Sequence, residues 1–169
     1  MVQITDKYHI PKTYEEALRT PQEEEWREAV LEELNLMNRK HVYTLVNKSK
    51  VPRKKIVKSK WLFSVELDSE TGEDVFKARI MAKGFTQRKG INYGETSAPA
   101  ATYETVRLVL SLSAMMNWDI LQVEATDAFL NAKSQYDIYL EPPDATTGDS
   151  NIVWKLNRTV YGLKQSARV

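Results

Sequence analysis

The sequence predicts an α+β fold, on three observations. A long N-terminal segment carries apolar residues at helical spacing, and two alternating segments flank a polar turn containing glycine. Beyond these, short β-rich runs end at prolines or polar loops. The length of 169 residues suits one domain or a region of a larger one.

Residues up to about Ile10 carry no clear pattern. Thr13-Tyr14-Glu15-Glu16 reads as a capping box, and Thr20-Pro21-Gln22-Glu23 as a second helix start with proline at the first helical position. From there Trp26, Val30, Leu34 and Met37 follow helical spacing, with Glu23, Glu24, Glu25, Glu28, Glu32 and Glu33 on or near the wet side. Acidic first turns suit the helix dipole. His41 to Val46 is expected to be a short strand, followed by a basic stretch containing Lys48, Lys50, Arg53, Lys54, Lys55, Lys58 and Lys60. That stretch reads equally as a phosphate-tracking surface or a solvated loop. Trp61, Phe63, Val65 and Leu67 alternate, the polar run Asp68 to Asp74 turns the chain, and Val75 to Ala82 returns as the second strand of a hairpin.

Gly84 to Pro99 is expected to be mostly loop. Thr102 is placed as the cap of a helix burying Val106, Val109, Leu110 and Ser113 or Ala114. Trp118 to Glu124 reads as a strand packed against that helix, and Ala128-Phe129-Leu130 as a turn or short helix. Asp137 to Leu140 and Ile152 to Leu156 complete the strands.

Composition excludes several classes. No cysteine is present, which removes disulfides, thiol nucleophiles and thiolate zinc sites, and His9 and His41 are too few for a histidine metal centre. A net charge of +1 predicts no global pull on nucleic acid, so any basic surface is local. No apolar run approaches the roughly 20 residues that span a bilayer, and a soluble, cytoplasmic chain is the expectation.

An ordered series of segments resembles the copia-type retrotransposon reverse transcriptases. These are Lys60-Trp61-Leu62-Phe63; Phe76-Lys77-Ala78-Arg79-Ile80-Met81-Ala82-Lys83-Gly84-Phe85-Thr86-Gln87; and Gly90-Ile91-Asn92-Tyr93-Gly94-Glu95-Thr96. Ala128-Phe129-Leu130-Asn131, Ile138-Tyr139-Leu140-Glu141-Pro142-Pro143 and Tyr161-Gly162-Leu163-Lys164-Gln165-Ser166 follow. The resemblance implies right-hand polymerase fingers with part of the palm. It divides the chain into a helical lead-in (1–40), a fingers region (41–117, hairpin 61–82), and a partial palm with a returning fingers segment (118–169). It places the family's paired-aspartate hairpin beyond Val169.

The same resemblance supplies candidate roles. Nucleotidyl transfer uses two divalent ions held by carboxylates, which makes Mg²⁺ the expected cofactor. Glu124 stands where the family has its first catalytic aspartate, with Ala125 beside it as a metal contact. Its extra methylene displaces the carboxylate, and a misplacement of about 1 Å can cost on the order of 100-fold in rate. Lys77 and Arg79, at i and i+2 of one strand, are candidates for the triphosphate. Asp127, Ala128 and Phe129 would line the nucleotide, Phe129 as the aromatic that rejects a ribose 2′-hydroxyl. Its other reading is a core aromatic. Tyr161, Gly162 and Lys164 would pack beneath the nucleotide, with Ala167 where the family prefers proline. Template-primer and dNTP are the implied partners, and the chain by itself is expected to be inactive and to self-associate. The alternative is a non-catalytic domain that binds nucleic acid or a protein.

Overall fold

A computed structural model describes residues 7–68, 70–98, 100–123, 125, 127–144, 146 and 149–168. Two helices open the chain, α1 (Tyr14–Ala17) and α2 (Glu23–Arg39). The Thr13 hydroxyl accepts the Glu16 amide, as a capping residue should, while the Glu16 carboxylate reaches past the cap to the Lys12 amide. Thr20 departs from its expected role. Its hydroxyl donates to the Ala17 carbonyl, so it closes α1, and Gln22 begins α2 without a side-chain cap. At the far end of α2, His41 takes a positive φ of 49°, which turns the chain into the sheet.

Five strands follow: β1 (Tyr43–Asn47), β2 (Ile56–Leu67), β3 (Asp74–Ala82), β4 (Tyr139–Glu141) and β5 (Ile152–Leu156). They form one mixed sheet in the order β1-β5-β4-β2-β3. β2 and β3 make the expected antiparallel hairpin, in register from Ser59 opposite Ala82 to Leu67 opposite Asp74. β2 begins five residues earlier than its alternation suggests. Ile56, Val57 and Lys58 pair in parallel with Tyr139, Leu140 and Glu141 of β4, so a distant strand recruits part of the basic stretch.

The hairpin has two chemically distinct faces. Trp61, Phe63, Ala78, Ile80 and Ala82 are buried on one. Against it α2 lays Trp26, fully buried, whose ring meets Phe63 at 5.3 Å and Phe76 at 4.7 Å, both edge-on. Such pairs contribute beyond simple area burial. The other face carries Lys58, Lys60, Glu66, Lys77 and Arg79. Glu33 does not lie on the wet side of α2: it is 7% exposed and faces the hairpin.

The second half departs further from expectation. Helix α3 (Tyr103–Met116) forms, and the Thr102 hydroxyl accepts the Thr105 amide as its cap. Its expected buried stripe does not exist. Val106, Val109 and Leu110 are exposed, and Ser113 alone is buried among the described residues of the helix. Residues 118–123 are not a strand, and Trp118, Ile120, Leu121 and Val123 are exposed rather than packed on the helix. A strand needs a neighbour to receive its backbone hydrogen bonds, and no described strand pairs with this segment. The short helix α4 (Ala128–Asn131) appears where a turn or helix was expected. No helix among the described residues is long and apolar enough to cross a membrane.

So much open apolar surface, including Leu108, Val109, Leu112, Met115 and Leu121, should drive association. The isolated chain is expected to sediment as concentration-dependent oligomers, and replacing Val109 and Leu112 together by glutamate should shift it towards monomer. A native chain that remains monomeric at high concentration would contradict this.

A candidate nucleotide-phosphate site on the hairpin

β3 is the last strand of the sheet, so one row of its amides has no strand to bond. Two groups from elsewhere fill that row. The Glu33 carboxylate on α2 accepts the Ile80 amide at 3.0 Å, and the Tyr161 carbonyl accepts the Ala82 amide at 2.8 Å. Tyr161 also bridges Met81 in parallel. The close approach depends on Gly162, whose φ is +83°, since a Cβ there would sit 2.3 Å from the Ala82 carbonyl oxygen. Thus two segments far apart in sequence are fastened to the strand that carries Lys77 and Arg79.

Those two cations point to one face, as their i and i+2 spacing requires. Both engage Glu66 on β2. Lys77 Nζ donates to Glu66 Oε2 at 2.6 Å, and the Arg79 guanidinium donates twice to Oε1 at 3.2 Å. The Lys77 hydrogen bond, aided by the charge of Arg79, holds the Glu66 carboxyl below its ordinary range. Arg79 also lies over the Tyr161 ring at 5.7 Å, a cation–π contact, and Tyr161 meets Phe129 edge-on at 5.0 Å.

α4 is anchored from several sides. Thr159 donates its hydroxyl to the Phe129 carbonyl, Arg158 donates to the Asn131 carbonyl at 2.7 Å, and Lys40 Nζ donates to Asn131 Oδ1 at 2.8 Å. Asp127, in a left-handed conformation before α4, pairs with Lys40 at 3.3 Å. Burial pushes the Tyr161 hydroxyl pKa up; Arg79 opposes this, while Asp127 and Glu33 add to it. Glu33 is likewise raised by burial, against the Ile80 amide and the Arg79 charge. Arg79, Tyr161, Asp127 and Glu33 therefore form one electrostatic group.

Of the residues expected from sequence, the structure joins Lys77, Arg79, Phe129 and Tyr161 through contacts, with Gly162 providing their backbone approach and Asp127 at the margin. Ala128 is exposed at the start of α4. Lys164 is placed elsewhere, its ammonium 4.8 Å from the Tyr93 ring centre, while its amide is held by the buried Gln87 side chain. Glu124 lies outside the described residues. Ala125 is exposed and offers a cation nothing but its backbone carbonyl. Among the described residues no three His, Asp or Glu side chains gather to hold a metal ion, and Asp127 is already paired with lysine. The described side chains therefore do not by themselves make the divalent-cation site that nucleotidyl transfer uses. Sequence reasoning missed Glu33, Lys40 and Glu66. Glu33 was findable, since it lies seven residues from Trp26 and within the same helical stripe.

Residues 40–169 match the family described as reverse transcriptase (RNA-dependent DNA polymerase). Over 160 residues, 94% of the chain, it is 33% identical to the retrovirus-related Pol polyprotein from transposon TNT 1-94 of Nicotiana tabacum, spanning 12% of that protein. It is 34% identical over the same share to the Pol polyprotein from transposon RE1 of Arabidopsis thaliana, spanning 11% of it. Similarity reaches the truncated transposon Ty1-A Gag-Pol polyprotein of Saccharomyces cerevisiae, at 24% identity over 98% of the chain and 13% of that protein. No solved structure matches the chain significantly.

The edge cap gives a two-variant test. Glu33→Gln keeps an acceptor for Ile80 and removes a charge that burial disfavours. Because the folded pKa is raised, the penalty on the charged form is full above that pKa and fades as pH falls to the ordinary carboxylate range. Glu33→Gln should therefore melt above the native chain near neutral pH, with the gap closing in acid. Glu33→Ala orphans the Ile80 amide and should cost about 1–3 kcal/mol. Thermal melts across this pH range check both, and an alanine variant as stable as the native chain would refute the edge-cap role.

Proposed function

The chain belongs to the reverse transcriptase (RNA-dependent DNA polymerase) family, in its copia-type branch, and from that premise we propose that its hairpin face binds the phosphates of an incoming nucleotide. One observation carries this reading: Arg79 stands between a second cation, Lys77, and the Tyr161–Phe129 aromatic pair. Cations beside an aromatic wall suit a molecule with a polyphosphate at one end and a sugar at the other. The guanidinium fork matches two phosphate oxygens, and Lys77 adds a point charge. Phe129, held through its own carbonyl by Thr159, is positioned to lie against the sugar. In this reading β2 and β3 are the fingers, and the segments carrying Phe129 and Tyr161 complete the wall beneath the nucleotide.

The chain spans about a tenth of the length of the curated relatives, at 12% and 11%. Template-primer binding and metal-dependent nucleotidyl transfer are proposed for a whole polyprotein of this kind. The contribution assigned to these residues is to bind and orient the nucleotide. These roles belong to side chains of this chain: Arg79 and Lys77 neutralise phosphate, Tyr161 fixes the guanidinium plane, and Phe129 bounds the sugar.

Titration of the full chain with a fluorescent deoxynucleoside triphosphate in chelator tests this. Arg79→Ala should weaken binding roughly 10- to 100-fold, the worth of a hydrogen bond to a charged group. Phe129→Ala should narrow the preference for deoxyribose over ribose. Binding unchanged by Arg79→Ala, with the fold intact by circular dichroism, would refute the assignment.

A further inference from the structure

The phosphate site already contains an anion. Glu66 projects from β2 on the outer face of the hairpin, diagonally across from Lys77, and both its oxygens are committed. Oε2 accepts from Lys77 at 2.6 Å, and Oε1 accepts both terminal nitrogens of Arg79 at 3.2 Å. A carboxylate in that fork uses the donors a phosphate would use. The two cannot both be fully satisfied, so one displaces the other.

We propose that Glu66 is a built-in competitor for the phosphate site, a carboxylate that holds Lys77 and Arg79 until a ligand with more than one anionic group displaces it. This rests on the reading of the hairpin face as a nucleotide-phosphate site. Three observations favour competition over a purely structural ion pair. The hairpin has backbone pairing along nine positions, so it does not depend on this side chain to close. Glu66 is 41% exposed, as is the Lys77 side chain at 42%, so water reaches both and the contacts can exchange. A glutamate at this half-exposed position is ionised throughout the neutral range, so the competitor is present there. The other charges near Arg79, Glu33 and Asp127, are occupied by the Ile80 amide and Lys40.

The consequence is a threshold for occupancy. Glu66 lowers the affinity of a monophosphate and a triphosphate by the same factor, since each displaces the same carboxylate. A triphosphate, which brings several anionic groups to both cations, has affinity to spare and still occupies the site, whereas a monophosphate trades one anion for another and gains little.

The test is a double-mutant cycle on the full chain, with thymidine triphosphate and thymidine monophosphate titrated in chelator at low salt. Glu66→Gln and Glu66→Ala should each tighten triphosphate binding roughly 3- to 10-fold, in keeping with the modest strength of half-exposed ion pairs. They should tighten monophosphate binding by a similar factor, because each ligand displaces the same carboxylate. In an Arg79→Ala background the gain should shrink markedly. A damaged fold would weaken binding, so tightening cannot arise from unfolding, and circular dichroism verifies each variant. If Arg79→Ala weakens binding while both Glu66 variants leave it unchanged or weaker, Glu66 is a structural ion pair and the competitor role fails alone. If Arg79→Ala has no effect, the site reading fails and the competitor role falls with it.

Discussion

The outer edge of β3 is the constraint from which the candidate site follows. An edge strand presents amides that must find partners, and here they find them at Glu33 and at the Tyr161 carbonyl. The first bond docks α2 and its Trp26 onto the hairpin. The second brings the segment after β5 alongside β3, so that the Tyr161 ring comes beneath Arg79 and against Phe129. Glycine is required at 162 because the two backbones approach too closely for a Cβ. A local need for hydrogen bonds thereby gathers residues from four parts of the chain.

The two acidic residues at this hairpin show how exposure sets the weight of a charge. Glu33 is buried, and the loss of hydration dominates its titration despite a direct hydrogen bond and a nearby arginine. Glu66 is half exposed, and its partners dominate instead. The buried carboxylate suits a fixed structural task, because removing its hydrogen bond strands an amide away from water. The exposed one suits exchange, because water can replace either partner. Arg79 lies within the field of both.

Helices α2 and α3 make an informative contrast. Both form, α3 behind its Thr102 cap and α2 without a side-chain cap, yet α2 buries Trp26, Ala29, Val30 and Met37 while α3 buries Ser113 alone among its described residues. Apolar side chains of α3 are open around much of its circumference, from Val106 and Leu108 through Val109, Leu110, Leu112 and Met115. A helix apolar on several sides is built for surroundings on several sides. The following residues 118–123 share that character, with apolar side chains exposed and no strand beside them.

The sequence by itself determined the elements whose signals are local. The Trp26 stripe, the Thr13 and Thr102 caps and the alternation of Trp61 to Leu67 all set local conformation, and β3 followed from its turn. The shared face of Lys77 and Arg79 was equally legible, because a strand's period of two leaves no other arrangement. Ordered motifs also located Phe129, Tyr161 and Gly162, though not what they touch. Tertiary structure alone decided what depends on a distant partner. Lys58 entered a strand because β4 lies beside it, Glu33 was buried because β3 needed an acceptor, and Lys164 went to Tyr93 rather than to the face of Lys77 and Arg79. Residues 118–123 have strand-like chemistry but remained unpaired. Periodicity specifies which side chains share a face, whereas a hydrogen bond or an ion pair requires a second segment, and the spacing within one segment carries no record of where that partner will lie.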